Sequence, residues 1–314
     1  MGHDARGGCL FGSEVMTRGM LVVLLASARM PFLLLTLVLI LLGFAAAFAV
    51  THEILWSKLA IILLTALTAH VSVNALNEYV DFRIGLDMVT KKTPFSGGSG
   101  ALPNNPQQAR SVFILGMVSL FVTLAGGLYL VSVTGPELLL PGLAGILIVA
   151  FYTPWMTRSP FLSLVMPGLA FGPIMVTGTA YVLAGEVTLA MVLAGMVPFF
   201  LVNNLLLLNQ YPDIEADRQH GRRNFPILYG TRSSGIVYLL FTLSAAASIV
   251  AGILLGVMPV NTLLPVLLLV AASPIALMAA KRVDDRKRLI PLMTLNLVVT
   301  LSVPVLLSVS MLTL

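Results

Sequence analysis

Long apolar runs, broken by short polar stretches, dominate the chain. Nine of them are long enough to cross a bilayer: roughly 30–50, 57–79, 110–132, 137–153, 161–183, 187–210, 234–256, 260–280 and 289–312. The fourth is the shortest. The runs are continuously apolar rather than alternating, which predicts membrane helices and not barrel strands. The pattern therefore predicts an all-α integral membrane protein, a bundle of nine transmembrane helices.

The polar stretches between the runs differ in charge. Arg6, Arg18 and Arg29 precede the first run. Arg83, Lys91, Lys92 and Arg110 lie between the second and third, and Arg158 between the fourth and fifth. Arg218, Arg222, Arg223 and Arg232 lie between the sixth and seventh. Lys281, Arg282, Arg286, Lys287 and Arg288 lie between the eighth and ninth. With nine spans, 17 of the 18 Lys and Arg fall on one side and only Lys58 on the other. Excess Lys and Arg marks the cytoplasmic side, so the N-terminus is expected inside, the C-terminus outside, and the long loops 81–109 and 212–233 in the cytoplasm.

Composition agrees. The chain is 58% hydrophobic and 10% charged, whereas a soluble domain is about a quarter charged. Membrane topology accounts for the net charge of +5, so no nucleic-acid partner is required. One cysteine, Cys9, leaves neither a disulfide nor a CxxC metal site within the chain. Residues 1–19 are polar and Gly-rich and read as a disordered leader, or as an over-called start with Met16 or Met20 as initiator. They lack the Ser or Thr of a myristoylation signal and the apolar run that would precede a lipidated Cys9.

Two stretches carry chemistry. NEYVDFRIGLD at 77–87 places Asn77 and Asp81 four apart on one helix face with Asn74. Gly85 is expected to end that helix, with Asp87 on the loop beyond. NQYPDIEADRQHGRRN at 209–224 spaces Asn209, Asp213 and Asp217 at intervals of four. Both stretches close an even-numbered span, four spans apart, which reads as a parallel pseudo-repeat with the second and sixth helices facing each other. Four facing aspartates repel unless a cation joins them, and carboxylate and amide oxygens suit hard cations. Basic residues follow both acidic groups, and Mg²⁺ typically shares carboxylates with substrate phosphates. Acids and bases together thus suggest a magnesium–diphosphate site at the membrane mouth, whereas acids alone would suggest an ion pathway.

Other features have plainer readings. His70 reads as a packed polar residue, Asn203 and Asn204 as helix-to-helix glue, and KRVDDRKR at 281–288 as a solvated topology anchor. SGGSG at 96–100 reads as a flexible loop or as a main-chain phosphate cradle. A cation-coupled transporter is the rival from another class, but it predicts midplane acids and inverted repeats. A CDP-alcohol phosphotransferase would need an Asp-Gly and Ala-Arg motif that is absent.

The paired motifs resemble those of the UbiA superfamily of intramembrane prenyltransferases. Its members carry an NDxxDxxxD-like motif after helix 2 and a DxxxD motif after helix 6. The wider spacing from Asp81 to Asp87 is similar to the menaquinone-pathway branch, which joins a polyprenyl chain to dihydroxynaphthoate. ARMPFLLLTLVLILLG, FYTPW at 151–155 and FGPIMVTGTAYV at 171–182 extend the resemblance over roughly residues 25–235. Differences are Glu78 for the usual Asp, Gln210-Tyr211-Pro212 for Asn-x-Arg, and a less basic loop at 93–103.

The resemblance implies a single prenyltransferase domain over 20–314 and a cytoplasm-facing site in the cell membrane. It implies polyprenyl diphosphate and an aromatic acceptor as substrates, with a naphthoate first. A 4-hydroxybenzoate, a chlorin, a tocopherol-type ring or glycerol phosphate remain alternatives. It implies Mg²⁺ held by Asp81, Asp87, Asp213, Asp217 and Asn77, with Asn209 beside them. Lys91, Arg218 and Arg222 become candidate phosphate contacts, and the rings of Tyr152 and Tyr211 candidate stabilisers of an allylic cation.

Overall fold

The computed structural model describes residues 19–283 and 285–313. The leader expected over 1–19 therefore lies, but for Gly19, outside the described residues. Helices make up the fold, and no strand occurs among the described residues. The main ones are α1 (Leu33–Thr51), α2 (Trp56–Arg83), α3 (Ala109–Thr134), α4 (Leu139–Phe151), α5 (Pro160–Leu169), α6 (Leu189–Asn209), α7 (Phe225–Leu254), α8 (Leu263–Ala272) and α9 (Arg286–Leu312). A π-helical stretch, Ala170–Thr177, carries α5 on into Gly178–Ala184. Eight helical stretches are long and apolar enough to cross a membrane, and Pro136–Phe151 is a shorter apolar one. The chain is a multi-pass membrane protein by this measure.

Lipid offers no partners to polar groups, so helices must satisfy them internally. Thr65 and Thr68 return their hydroxyls to Ile61 O and Leu64 O, at 2.7 and 2.8 Å. Ser72 Oγ donates across to Gly116 O at 2.8 Å, tying α2 to α3. Asn204 Nδ2 donates to Tyr238 O and Thr242 Oγ1, both at 3.0 Å, and Tyr238 Oη donates to Asn296 Oδ1 at 2.9 Å. Asn203 Oδ1 accepts from Gly168 N at 2.6 Å. These bonds give Asn203 and Asn204 the gluing role that polar residues play between apolar helices.

The motif-bearing helices α2 and α6 do not pack on one another. Each packs most extensively on the helix that follows it, α2 on α3 and α6 on α7. Their ends open onto a shared cavity instead. The start of the first span also differs from the apolar run at 30–50. Residues 19–27 are already helical, and Arg29, in the left-handed region at φ 52°, turns the chain into the short 3₁₀ segment Met30–Phe32 before α1.

Five basic connections meet at one end of the bundle. Arg29, before α1, reaches Asn77 and Glu78 on α2. Thr153, after α4, accepts from Asn77 Nδ2 at 3.1 Å. Arg222, between α6 and α7, pairs with Asp81, and Arg223 N donates to Thr157 O at 3.0 Å. Arg286, at the start of α9, reaches Lys91 and Pro212. The chain thus folds so that its charged segments share one mouth.

Candidate active site

The mouth holds a cavity of about 130 Å³. Asp81, Asp87, Asp213 and Asp217 all line it, with Asn77, Asn209, Tyr152 and Arg222. Two motifs separated by more than a hundred residues of sequence are therefore brought together. Lys91, Arg218 and Tyr211 are not among the lining residues. Lys91 is exposed. Arg218 faces outward, 3.4 Å from Glu215 one helical turn earlier. Tyr211 is buried beside the cavity, but its hydroxyl is given to Thr231 O at 3.1 Å. A stride of four places Asp213 and Asp217 on the cavity face of the turn, and the same stride turns the residues between them away.

The first half is built in two pieces. α2 ends at Arg83, and Gly85 takes φ 82°, a left-handed value that favours glycine. The short helix Leu86–Val89 then brings Asp87 back over the cavity. Asn77 Nδ2 donates to Asp81 Oδ2 at 3.1 Å, while Asn77 Oδ1 accepts from Arg29 Nη2 at 3.3 Å. The oxygen expected to face a metal is thus engaged by Arg29.

Glu78 does not line the cavity. It is fully buried, 3.6 Å from Arg29, and accepts from both the backbone N–H and the hydroxyl of Ser99. It fastens the SGGSG loop onto α2. That loop is ordered against the site rather than free: Ser96, Gly97 and Gly98 line the cavity, and Ser96 Oγ donates to Asp213 Oδ1 at 3.4 Å. A Cβ on Gly98 would fall 2.6 Å from Asp87 Oδ1, so only glycine lets the loop come this close.

The second half is continuous. α6 runs into a 3₁₀ turn, Tyr211–Asp213, and then the short helix Ile214–Gln219. Asp217 accepts from Arg222 Nη1 at 3.1 Å and from Asn224 Nδ2 at 3.0 Å. Asn224 also caps α7, its Oδ1 accepting from Ile227 N at 3.2 Å. The other arm of Arg222 bonds Asp81. One guanidinium therefore joins an acid of each motif. Burial works against its charge, but Asp81 and then Asp217 outweigh burial and raise its pKa. On the other side of the site, burial and then Glu78 and Asp81 push the Asp87 carboxyl up to about 7. Burial pushes the Tyr152 hydroxyl up to about 12, so it stays protonated.

Several oxygens have no protein partner. Asp87 Oδ2, Asn209 Oδ1 and Gln210 Oε1 are buried without a hydrogen-bond partner, and all three residues line the cavity. A buried acceptor left unmade costs about 1–3 kcal/mol, so a cluster of three points to something that binds them. Carboxylate and amide oxygens are the donors a hard divalent cation takes. Among the described residues no three His, Cys, Asp or Glu side chains form a ready-made metal cluster.

Sequence reasoning missed Arg29, Gln210 and Asn224 as residues of this cavity; Ser96 belongs to the SGGSG loop, one of whose two readings is a phosphate cradle. Asn224 had a signal, since Asn before Phe-Pro is a helix-start pattern. Arg29 and Gln210 had none beyond their neighbours: Arg29 finds its partners on α2, and Gln210 is marked only by its place in the cavity wall.

Comparison with known proteins extends this picture. The model of the UbiA prenyltransferase family matches residues 36–298. The 1,4-dihydroxy-2-naphthoate octaprenyltransferase of Bacillus subtilis (strain 168) is 28% identical over 190 residues, covering 60% of this chain and 59% of that protein. The match thus spans about three-fifths of that relative's length. A UbiA homolog from Archaeoglobus fulgidus bound to DMAPP and Mg²⁺ shares the fold, with a TM-score of 0.62 at 15% identity over 93% of this chain and 99% of that one. The apo structure of a UbiA homolog from Aeropyrum pernix K1 does so with a TM-score of 0.64, also at 15% identity, over 88% of this chain and 97% of that one.

Proposed function

We propose that this chain, which belongs to the UbiA prenyltransferase family, transfers the prenyl group of a polyprenyl diphosphate to an aromatic acceptor in the membrane. The observation that carries the reading is the convergence of four aspartates, from two distant motifs, on one cavity with three unpartnered oxygens. The lining has four carboxylates against the guanidiniums of Arg29 and Arg222. The acid excess attracts divalent cations, and the guanidiniums suit phosphate oxygens.

Asp87, Asn209 and Gln210 are the residues with oxygens ready for Mg²⁺, and Asp81, Asp213 and Asp217 complete the acidic wall. A bound cation supplies Lewis-acid neutralisation of the departing diphosphate. Arg222, already charged and half-buried at the cavity, is positioned to share that developing charge. The bond between the allylic carbon and the diphosphate oxygen breaks, and a carbon–carbon bond forms to the electron-rich ring. Aromaticity returns when that ring carbon expels the group it carried, as a proton from a C–H position or as carbon dioxide from a carboxylate-bearing one. Tyr152 offers its ring to the allylic cation from the cavity wall. Phe95, Gly97 and Gly98 line the cavity, and their loop would help to keep water from the cation. The apolar tail lies among the helices or passes sideways into lipid.

The naphthoate relative favours a naphthoate-type acceptor and a place in quinone biosynthesis of the menaquinone kind. The basic residues at the mouth favour a cytoplasmic side of the cell membrane for the site. The cation-coupled transporter reading finds no support, since the acids gather at one end of the bundle.

The test is transfer of radiolabelled prenyl diphosphate by the purified protein, with a panel of acceptors, in Mg²⁺ or in EDTA. Labelled product should form with dihydroxynaphthoate, vanish in EDTA and fall by about a hundredfold or more in Asp81→Ala. No product with any acceptor, together with unchanged donor binding in Asp81→Ala and Asp213→Ala, would sink the reading.

A further inference from the structure

The basic run at 281–288 behaves as a solvated anchor only in part. Lys281, Lys287 and Arg288 are exposed, and Arg288 pairs with Asp285 at 3.2 Å. Arg286 turns the other way and is half-buried. Its Nη1 donates to Lys91 O at 3.2 Å and its Nη2 to Pro212 O at 3.3 Å. Lys91 lies four residues after Asp87, and Pro212 immediately precedes Asp213. One side chain, from a third connection, thus holds the main chain of both acid-bearing segments.

Two considerations set this contact apart from ordinary packing. The other bonds between the halves, Ser96 to Asp213 and Arg222 to Asp81, run through the acids themselves. A cation or a diphosphate would compete for those groups. The bonds of Arg286 end on neutral carbonyls and are untouched by that competition. Position matters as well. Arg286 opens α9, where a cation opposes the helix dipole. Its charge is unfavourable for the helix, while its planar fork suits two acceptors at once.

We propose that Arg286 is a positioning residue that holds the two halves of the site in register while substrate and cation come and go. The proposal rests on the prenyl-transfer reading for its kinetic consequence, but not for the geometry of the clamp. Removing two net hydrogen bonds should raise the KM for the prenyl diphosphate about tenfold. The kcat at saturating donor should change by less than about twofold, because bound ligands then assemble the halves. A merely structural residue would instead lower the active fraction, and so kcat, at constant KM.

The experiment pairs kinetics with a distance measurement. Spin labels are placed at Pro94→Cys and Glu215→Cys, both exposed positions, in a Cys9→Ser background. Double electron–electron resonance then compares Arg286 with Arg286→Ala and Arg286→Lys in the full-length protein. The proposal expects a narrow distance distribution in the parent, a broader one in Arg286→Ala with the raised KM, and partial recovery of both in Arg286→Lys. An unchanged distribution overturns the clamp, whatever the KM does. A broadened distribution with KM within twofold overturns its role in the reaction. If the parent turns over no prenyl diphosphate at all, the functional reading fails while the distances still decide the clamp.

Discussion

The two halves of the site carry the same acids on different supports. The second is nearly continuous helix, with Asp213 and Asp217 one turn apart and Asn224 bracing Asp217. The first is broken at Gly85, so Asp81 and Asp87 sit on separate pieces and Asp87 depends on the neighbouring loop for its place. Each half also lends the other a group: Ser96 reaches Asp213, and Arg222 reaches Asp81. Neither half is electrostatically complete alone. A parallel repeat has become a pair of unequal, interlocked parts.

The strongest way to break that interlock is to remove the acids that Arg222 joins. Asp81→Ala and Asp217→Ala should each reduce prenyl transfer by about a hundredfold to a thousandfold, the range seen when a preorganised charge-stabilising group is lost. Because the two act through one guanidinium, the double variant should fall little below the worse single. Initial rates with radiolabelled donor measure all three. Fully additive losses would mean that the halves work independently.

Arg222→Ala attacks the same joint from the other side. It leaves two buried carboxylates without their cation, a change that costs about 3–5 kcal/mol when one partner of a buried pair is removed. Thermal unfolding in detergent should show a lower Tm for Arg222→Ala. Added Mg²⁺ should recover more of the loss than it adds to the parent, since a cation binding the folded state stabilises it. Equal Mg²⁺ effects on both proteins would argue that Arg222 and the cation do not share these acids.

A smaller effect tests the asymmetry itself. Gly98 lies against Asp87 in the first half at φ 70°, whereas Gly221, in the second, takes φ 78° with nothing within 4 Å of an added Cβ. Both variants to Ala strain the backbone, but only Gly98→Ala displaces a carboxylate. Half-saturation by Mn²⁺, followed by paramagnetic resonance of the free ion, should rise about tenfold in Gly98→Ala and stay near the parent in Gly221→Ala. Equal shifts would reduce the contrast to backbone strain.

Much of this was readable from sequence, for definite physical reasons. Lipid demands long apolar helices, so the runs announce themselves, and buried acids are costly enough to be conspicuous. The break at Gly85 was legible because a left-handed turn needs its residue type. What stayed hidden depends on which segments meet. Glu78 looks like one more acid of the motif, yet it is turned to Ser99 and Arg29. Arg222 reads as a phosphate contact, yet it bonds two aspartates. Arg286 sits in a stretch whose neighbours are solvated, and only the packing of distant loops turns it inward. Periodicity along one helix cannot report a partner on another.

Arg218 gives the smallest effect and the cleanest control on the whole comparison. It follows Asp217 directly, and by sequence it is as good a phosphate ligand as Arg222. The helix turn separates them: Arg218 pairs with Glu215 at the surface, both side chains more than half exposed, while Arg222 is folded into the cavity. Exposed pairs of this kind contribute about 0–1 kcal/mol. Arg218→Ala should therefore leave Tm nearly unchanged and keep KM for the donor and kcat within about twofold of the parent, where Arg222→Ala changes them severely. If Arg218→Ala raised KM as much as Arg222→Ala, the diphosphate would have to approach from the outer face of the turn. The cavity between the two motifs would then not be where the donor binds.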